Sequence, residues 1–223
     1  TETEKKAKAK KKPQPWIRPR HKVVRNILYY TLGTYCRLRY NAKVEKFQEW
    51  EDRPYLILLN HQTPFDQFFV GMSVKGNIYC LATEDIFSLG WVSDLIRWLI
   101  APIPIKKQTS DVRAVMTCLR VAREGGSICI APEGNRTYSG RTEYMSPAII
   151  PMARKMGMPI LLYRLEGGYG VMPRWADAVR KGKMRCYVSR VIMPEEYKTM
   201  TDGELYEVVK EGLYVNEACA DGE

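Results

Sequence analysis

The residues best suited to acid–base chemistry lie together in one short stretch, residues 60–66, which read NHQTPFD. This stretch contains His61, one of two histidines in the chain, and Asp66 five residues later. A carboxylate that accepts a hydrogen bond from one ring nitrogen of a histidine fixes the tautomer and leaves the other nitrogen free as a base. The other histidine, His21, lies in a basic N-terminal segment, so we expect imidazole chemistry in the folded body to come from His61.

The elements on either side decide whether His61 and Asp66 can meet. The apolar run at residues 55–59 predicts a buried strand, and Thr63 followed by Pro64 predicts the N-cap and the first residue of a helix. Two residues five apart on one helix point about 140° away from each other, so His61 must lie in the loop before the helix. Alternatively, Thr63 and Asp66 form a capping box in which Asp66 only satisfies backbone amides. The spacing by itself leaves both interpretations open.

The composition is that of one domain with a strongly basic balance. The chain has 223 residues, and its 35 Lys and Arg against 25 Asp and Glu give a formal net charge of +10. This charge predicts an anionic partner, namely a nucleic acid, an anionic membrane surface or a phosphorylated substrate. The six cysteines are scattered without a Cys-x-x-Cys pair, which favours reduced thiols. The chain contains no run of about 18 apolar residues, so the sequence predicts no membrane-spanning helix.

The first 40 residues divide into two segments. Residues 1–15 contain six lysines between Lys5 and Lys12 and predict a disordered basic arm, which lacks the hydrophobic stretch of a secretory signal. Residues 16–40 carry apolar side chains at helical spacing with arginines towards both ends, a pattern typical of a basic amphipathic helix in a membrane interface. Alternatively, this helix packs on the domain's own core. We expect the helix to lie in a membrane interface. This makes an anionic membrane surface a partner and places the protein on the cytoplasmic face of a membrane, as a peripheral or monotopic protein.

Residues 41–223 predict a single domain of the α/β class. Strands that alternate with helices imply a mainly parallel sheet flanked by helices on both faces. The predicted strands cover residues 55–60, 77–83, 127–131, 159–165 and 183–193, and an extended segment covers 101–105. Five helices are predicted. The first begins at Pro64, the second covers 87–100, the third follows a cap at Thr109 or Ser110, the fourth covers 147–156, and the fifth follows a capping box of Thr201 and Glu204.

Two further predicted strand ends carry polar clusters. Residues 133–136, Glu-Gly-Asn-Arg, follow one strand, and Lys106 and Lys107 follow the extended segment. Because the carboxyl ends of parallel strands share one edge of a sheet, we expect both clusters to converge with His61 and Asp66. A base, an acid and several cations at one edge suit a phosphorylated substrate that carries a hydroxyl group to be activated.

These residues resemble the motifs of a known family. His61-x4-Asp66 and, about seventy residues later, Glu133-Gly134-Asn135-Arg136 resemble the first and third motifs of the lysophosphatidic acid acyltransferase, or glycerolipid acyltransferase, family. Residues 101–107 resemble its second motif and residues 157–162 its fourth. The resemblance implies transfer of a fatty acyl group from acyl-CoA or acyl-carrier protein to the free hydroxyl of a lysophospholipid, above all lysophosphatidic acid, in phospholipid synthesis. The donor is a substrate, and no cofactor or metal is expected.

The resemblance also implies roles for the residues. Because a thioester is already activated, His61 as general base with Asp66 to orient it suffices for acyl transfer. Lys106 and Lys107 stand where the family usually has an acidic residue and an arginine, which leaves a lysophospholipid other than lysophosphatidic acid open as the acceptor. The residues expected to bind the acceptor head group are Glu133, Gly134, Asn135, Arg136, Lys106 and Lys107.

Two other functions compete with acyl transfer. One is an acyl thioesterase, in which the same dyad activates water in place of the acceptor. The other is a non-catalytic protein that binds nucleic acid through the lysine-rich arm. That arm has no interleaved aromatic residues and the rest of the chain has no nucleic-acid motif, so we do not expect nucleic acid as a partner.

Overall fold

The computed structural model describes residues 14–83, 90–106 and 111–216. Almost all of the predicted arm over residues 1–15 lies outside these ranges, as does Lys107. The strands are β1 (Ala42–Val44), β2 (Leu56–Leu59), β3 (Ile78–Thr83), β4 (Ile103–Ile105), β5 (Ser127–Ile130), β6 (Ile160–Glu166) and β7 (Met184–Ile192). The helices are α1 (Pro19–Leu28), α2 (Thr34–Arg39), α3 (Asp66–Ser73), α4 (Trp91–Ile100), α5 (Val112–Arg123), α6 (Ile149–Met156), α7 (Gly168–Val171), α8 (Pro194–Lys198) and α9 (Asp202–Leu213), and a π-helical turn (Tyr29–Gly33) joins α1 to α2.

The seven strands form one sheet in the order β1-β7-β6-β2-β5-β3-β4. Among the described strands, β6 and β7 are the one antiparallel pair, and the five other pairings are parallel. The predicted α/β class with a mainly parallel sheet is therefore confirmed. Strand β2 lies at the centre between β5 and β6, so the turn that follows it is next to the ends of two other strands.

The central strand is buried on both faces, which explains its unbroken apolar sequence. Successive side chains of a strand point to opposite faces, so Leu56 and Leu58 face one layer and Ile57 and Leu59 face the other. Leu56 and Leu58 belong to a core that includes residues of α5, α6 and α9, whereas Ile57 and Leu59 pack with residues of α2 and α3. The five cysteines in the described residues, Cys36, Cys80, Cys118, Cys129 and Cys186, are free thiols.

Several helix starts differ from the sequence prediction. Helix α4 begins at Trp91 and α6 at Ile149, where the prediction began at residues 87 and 147, and residues 84–89 lie outside the described ranges. Helix α3 begins at Asp66 with Phe65 at its N-cap, so the prediction of Thr63 as the N-cap and Pro64 as the first helical residue is wrong. The physical reason is that the Asp66 side chain folds back onto the preceding turn and holds it in a non-helical conformation. Asp111 caps α5, and Thr109 and Ser110 lie outside the described residues. The capping box of Thr201 and Glu204 at α9 is confirmed.

The N-terminal helical segment has an unusual distribution of side chains. The face towards the body carries His21 and Arg25, which are both buried, while Val23, Ile27 and Tyr30 are exposed, the last by 81 %. His21 Nδ1 lies 3.3 Å from the hydroxyl of Tyr79, so this histidine belongs to the folded body rather than to a separate leader. In the described part of the chain no helix combines the length and apolar character needed to cross a membrane.

Candidate active site

The turn after β2 is attached to the sheet by the buried side chain of Asn60. Its amide nitrogen donates to the carbonyl of Leu165 at 2.8 Å, and its amide oxygen accepts from the backbone N–H of Leu165 at 2.7 Å. Asn60 thereby continues the pairing of β2 with β6 beyond the last residue of the strand. The next residue, His61, starts from a fixed backbone position.

His61 and Asp66 are in direct contact. His61 Nδ1 lies 2.8 Å from Asp66 Oδ2, and the Asp66 side chain is 1 % exposed whereas that of His61 is 28 % exposed. A carboxylate only accepts hydrogen bonds, so the shared proton belongs to Nδ1. Nε2 is then the nitrogen that remains to take a proton from a substrate.

Asp66 holds the turn as well as the histidine. Its carboxylate accepts hydrogen bonds from the backbone N–H groups of Gln62 and Thr63, both at 2.8 Å, and from the Thr63 hydroxyl at 2.6 Å. Asp66 thus satisfies backbone amides, as the capping-box interpretation expected, but Thr63 is not the N-cap of α3 and no capping box forms there. The contacts that satisfy the turn's amides are also those that fix the carboxylate behind His61.

Glu133 ties the turn after β5 to the turn after β2. Its Oε1 accepts the backbone N–H of His61 at 2.8 Å, and the carbonyl of His61 accepts the N–H of Thr137 at 2.9 Å. Burial raises the pKa of the Glu133 carboxyl to about 8, and the negative charge of Asp66 acts in the same direction. The structure thus shows Glu133 as a support for the His61 backbone, and its predicted contact with substrate remains a prediction.

The remaining residues of this second turn are more open to solvent. Gly134 has φ of +72°, a left-handed conformation that favours glycine, and a Cβ there would meet no atom within 4 Å. Asn135 is exposed, and Arg136 is partly buried. Within the described residues Arg136 forms no ion pair. Burial raises the pKa of Tyr40 to about 12. The negative charge of Asp66 raises the pKa of this phenol further and the positive charge of Arg136 lowers it, so both side chains lie near Tyr40.

Lys106 lies at the same edge of the sheet but to one side. The pairs Leu58 with Ile130, Cys80 with Cys129 and Thr83 with Ile105 set the register across β2, β5, β3 and β4. Continued past the strand ends, this register puts Lys106 level with His61, three strands away, which is roughly 14 Å. Lys106 is exposed, and its backbone N–H donates to Asp111 at 3.1 Å. Lys107 lies outside the described residues.

The sequence did not predict the contacts that the segment between β6 and β7 makes with these two turns. Gln62 Oε1 accepts the backbone N–H of Tyr169 at 2.8 Å, and Arg174 Nη1 donates to the carbonyl of Arg136 at 3.4 Å. The signal in the sequence was the polar Gln62 inside the His61 stretch, because a buried amide side chain needs a partner. Its partner, more than a hundred residues away, was not predictable from the spacing.

A comparison with protein families agrees with this geometry. The sequence profile of a family described as Acyltransferase matches residues 40–162, more than half of the chain, and this range contains both turns. An α/β sheet with a His–Asp pair at its carboxyl edge, together with this match, defines the class. The chain belongs to the acyltransferase family.

Two plant proteins are similar to this chain in sequence. The chain is 23 % identical over 155 residues to the chloroplastic 1-acyl-sn-glycerol-3-phosphate acyltransferase BAT2 of Brassica napus, covering 68 % of this chain and 44 % of that protein. It is 23 % identical over 145 residues to the chloroplastic 1-acyl-sn-glycerol-3-phosphate acyltransferase LPAT1 of Arabidopsis thaliana, covering 63 % and 40 %. The matches therefore span less than half of either plant protein.

A solved structure shares the fold. The 1-acyl-sn-glycerophosphate (LPA) acyltransferase PlsC from Thermotoga maritima superimposes with a TM-score of 0.69 at 21 % sequence identity, covering 87 % of this chain and 80 % of that chain. The structural likeness covers a larger share of the chain than the family match does.

Proposed function

We propose that this chain transfers a fatty acyl group from acyl-CoA or acyl-carrier protein to the free hydroxyl of a lysophospholipid, with lysophosphatidic acid as the acceptor. The observation that carries the proposal is the 2.8 Å contact between His61 and Asp66 beside Arg136, in a chain of the acyltransferase family. The relatives named above act, by their names, on 1-acylglycerol phosphates. Arg136 supplies a cation for an acceptor of that kind.

In the proposed mechanism His61 moves one proton twice. Nε2 takes the proton of the acceptor hydroxyl while its oxygen attacks the thioester carbonyl, and Asp66 stabilises the imidazolium that forms. The new C–O bond forms and the C–S bond breaks. His61 then returns the proton to the departing thiolate, so the histidine ends the cycle neutral, and the enzyme forms no covalent bond to the acyl group.

We also propose that the N-terminal helical segment places the site at the cytoplasmic face of a membrane. Amphipathic helices of soluble domains normally turn their apolar side inward. Here polar His21 and Arg25 face the body, and Val23, Ile27 and Tyr30 face outward. Exposed apolar and aromatic side chains among basic residues suit an anionic membrane surface.

The test of the reaction is thiol release from acyl-CoA, measured with and without lysophosphatidic acid. We expect release to require the acceptor and His61→Ala to lower the rate by roughly 10²- to 10⁴-fold. His21→Gln is the matched control, because His21 lies against Tyr79 rather than in the turn, and it should retain transfer within a few-fold.

Each other outcome contradicts a named part of the proposal. Transfer that survives His61→Ala would exclude the dyad mechanism. Thiol release that proceeds equally without acceptor would identify a thioesterase. Transfer to lysophosphatidylcholine but not to lysophosphatidic acid would replace the proposed acceptor.

A further inference from the structure

The connection between β6 and β7 is unusually long. These strands are antiparallel neighbours, with Glu166 paired to Arg185, yet residues 167–183 separate them. Antiparallel neighbours are usually joined by about two to five residues, whereas this connection is long enough to contain helix α7. We call residues 167–183 the β6–β7 loop.

The β6–β7 loop is fixed at its base and on the His61 turn. Gly167 has φ of +80°, and a Cβ there would lie 1.9 Å from the carbonyl oxygen of Lys183, so glycine lets the two ends of the loop touch. Next to it, a Cβ at Gly168 would lie 2.6 Å from Gln62 Cβ, and Gln62 also accepts the N–H of Tyr169. The loop therefore has a defined position relative to the candidate active site.

This position brings a second guanidinium to the turn that carries Arg136. Arg174 Nη1 donates to the Arg136 carbonyl at 3.4 Å, and Arg174 is otherwise exposed. Its neighbour Trp175 donates to the Tyr169 hydroxyl at 3.3 Å and lies under Arg180 at 4.4 Å from the ring centroid. Within the described residues, neither Arg136 nor Arg174 forms an ion pair with a carboxylate.

The contacts of Arg174 differ from those of a structural arginine in the same molecule. Arg154 donates to Asp202 at 2.6 Å and to the carbonyls of Tyr197 and Met200 at 2.8 and 2.6 Å, which uses all three nitrogens of its guanidinium group. Arg174 makes one long hydrogen bond and leaves its other donors towards solvent. Two unpaired guanidinium groups on adjoining turns produce a local positive potential that suits a doubly charged anion.

We propose that Arg174 and Arg136 together bind the phosphate monoester of the acceptor, and that the β6–β7 loop thereby determines the head group. This inference rests on the proposed function, since it assigns the acceptor's phosphate to a place beside His61. A phosphate monoester offers three terminal oxygens to two planar donor groups, whereas an unphosphorylated glyceride offers none.

The test compares Arg174→Gln with wild type in two measurements on the full chain. The first is equilibrium binding, in detergent micelles without an acyl donor, of lysophosphatidic acid and of a monoacylglycerol with the same acyl chain. The second is the steady-state rate of acyl transfer. We expect Arg174→Gln to weaken binding of lysophosphatidic acid and to raise its KM by roughly ten- to hundredfold. Monoacylglycerol binding, kcat and the KM for acyl-CoA should change less than threefold.

Arg180→Gln is the matched control, because it removes one cation from the same loop at a residue that stacks on Trp175 instead of reaching Arg136. An equal loss in Arg180→Gln would show a general charge effect and overturn the proposal. So would unchanged binding in Arg174→Gln, a drop in kcat without a change in KM, or wild-type binding of lysophosphatidic acid no tighter than of monoacylglycerol. Tight, Arg174-dependent binding without acyl transfer would support the phosphate site while the proposed function fails.

Discussion

At the residue scale, the candidate active site consists of side chains that each support a neighbour. Asp66 holds the imidazole and the amides of its own turn, and Glu133 holds the backbone of His61. A carboxylate with this many donors keeps one orientation, and orientation of the base is what proton transfer requires. Substitutions here should therefore change activity and stability together.

Asp66→Asn tests both roles of the carboxylate, because it replaces one acceptor oxygen with a donor. The asparagine amide has one acceptor oxygen and one NH₂ group, so it can face His61 or the N–H groups of Gln62 and Thr63, but it cannot accept from all of them. We expect transfer to fall roughly 10²- to 10⁴-fold and the free energy of unfolding to fall by about 1–3 kcal/mol. Thiol release and urea unfolding measure the two quantities, and full activity in Asp66→Asn would contradict the role assigned to the carboxylate.

Glu133 predicts a pH dependence of stability. Burial raises its pKa from 4.5 to about 8, so between these values the folded chain holds a proton that the unfolded chain has lost. The free energy of unfolding contributed by this group therefore decreases as pH rises from 4.5 to 8, and does not decrease further above 8. Glu133→Gln keeps an oxygen for the His61 N–H and does not titrate, so its stability relative to wild type should be higher at pH 8 than at pH 5.

Urea unfolding at both pH values measures this difference. Glu49→Gln controls for the loss of one negative charge, because Glu49 is exposed and forms no ion pair in the described part of the chain. A stability difference between Glu133→Gln and wild type that is the same at pH 5 and pH 8 would contradict the raised pKa.

At the element scale, the N-terminal helical segment lies directly against the helix that begins at Asp66. The ring of Tyr29, in the π-helical turn, occupies the space beside Gly71 of α3, and Met72 of α3 lies against Gly33. Tyr40, which follows α2, packs with Phe65 in the turn that carries the dyad, at 6.2 Å between ring centroids. A displacement of the N-terminal segment would therefore reach the turn that orients His61.

Gly71→Ala tests this contact. A Cβ at Gly71 would lie 2.0 Å from Tyr29 Cζ, so the Tyr29 ring must shift from its place on α3, and we expect a loss of about 1–3 kcal/mol in the free energy of unfolding together with lower transfer activity. Gly203→Ala in α9 is the control, because its Cβ would meet no atom within 4 Å and should stabilise the helix by roughly 0.5–1 kcal/mol. Tyr29→Ala added to Gly71→Ala should restore part of the activity. Equal stability of Gly71→Ala and Gly203→Ala would contradict the close packing of Tyr29 on Gly71.

At the scale of the whole molecule, the exposed apolar residues of α1 and of the π-helical turn predict attachment to a membrane surface. Burial of one large apolar side chain contributes roughly 1.5–3 kcal/mol, or about tenfold or more in affinity. Ile27→Ser and Tyr30→Ser should each lower cosedimentation with vesicles that contain phosphatidylglycerol. Tyr214→Ser is the matched control, because Tyr214 is an exposed aromatic residue directly after α9, whose core residues pack on the opposite face of the sheet from α2 and α3.

Two results would contradict membrane attachment through this segment. One is vesicle binding that neither Ile27→Ser nor Tyr30→Ser changes. The other is a salt-sensitive mobility shift with RNA in the absence of any vesicle binding, which would support the nucleic-acid alternative.

Local features of the chain could be predicted from the sequence because they act over a few residues. The unbroken apolar run of β2 requires burial on both faces, the alternation of strands and helices requires a mainly parallel sheet, and Thr201 with Glu204 begins α9. The spacing of His61 and Asp66 likewise indicated a strand, a turn and a helix. In each case the signal is a pattern in the order of residues along the chain.

Only the tertiary structure decided which of these elements meet. The position of β2 between β5 and β6 places Glu133 against His61, and the antiparallel return of β7 leaves a loop that carries Arg174 to Arg136. The same applies to His21, which the sequence placed in a basic leader and the structure buries against Tyr79. The sequence by itself indicated that His61 and Asp66 could meet, because the two residues lie at the ends of one short turn. The surroundings of the turn depend on contacts between distant segments, and these form only when the whole sheet is assembled.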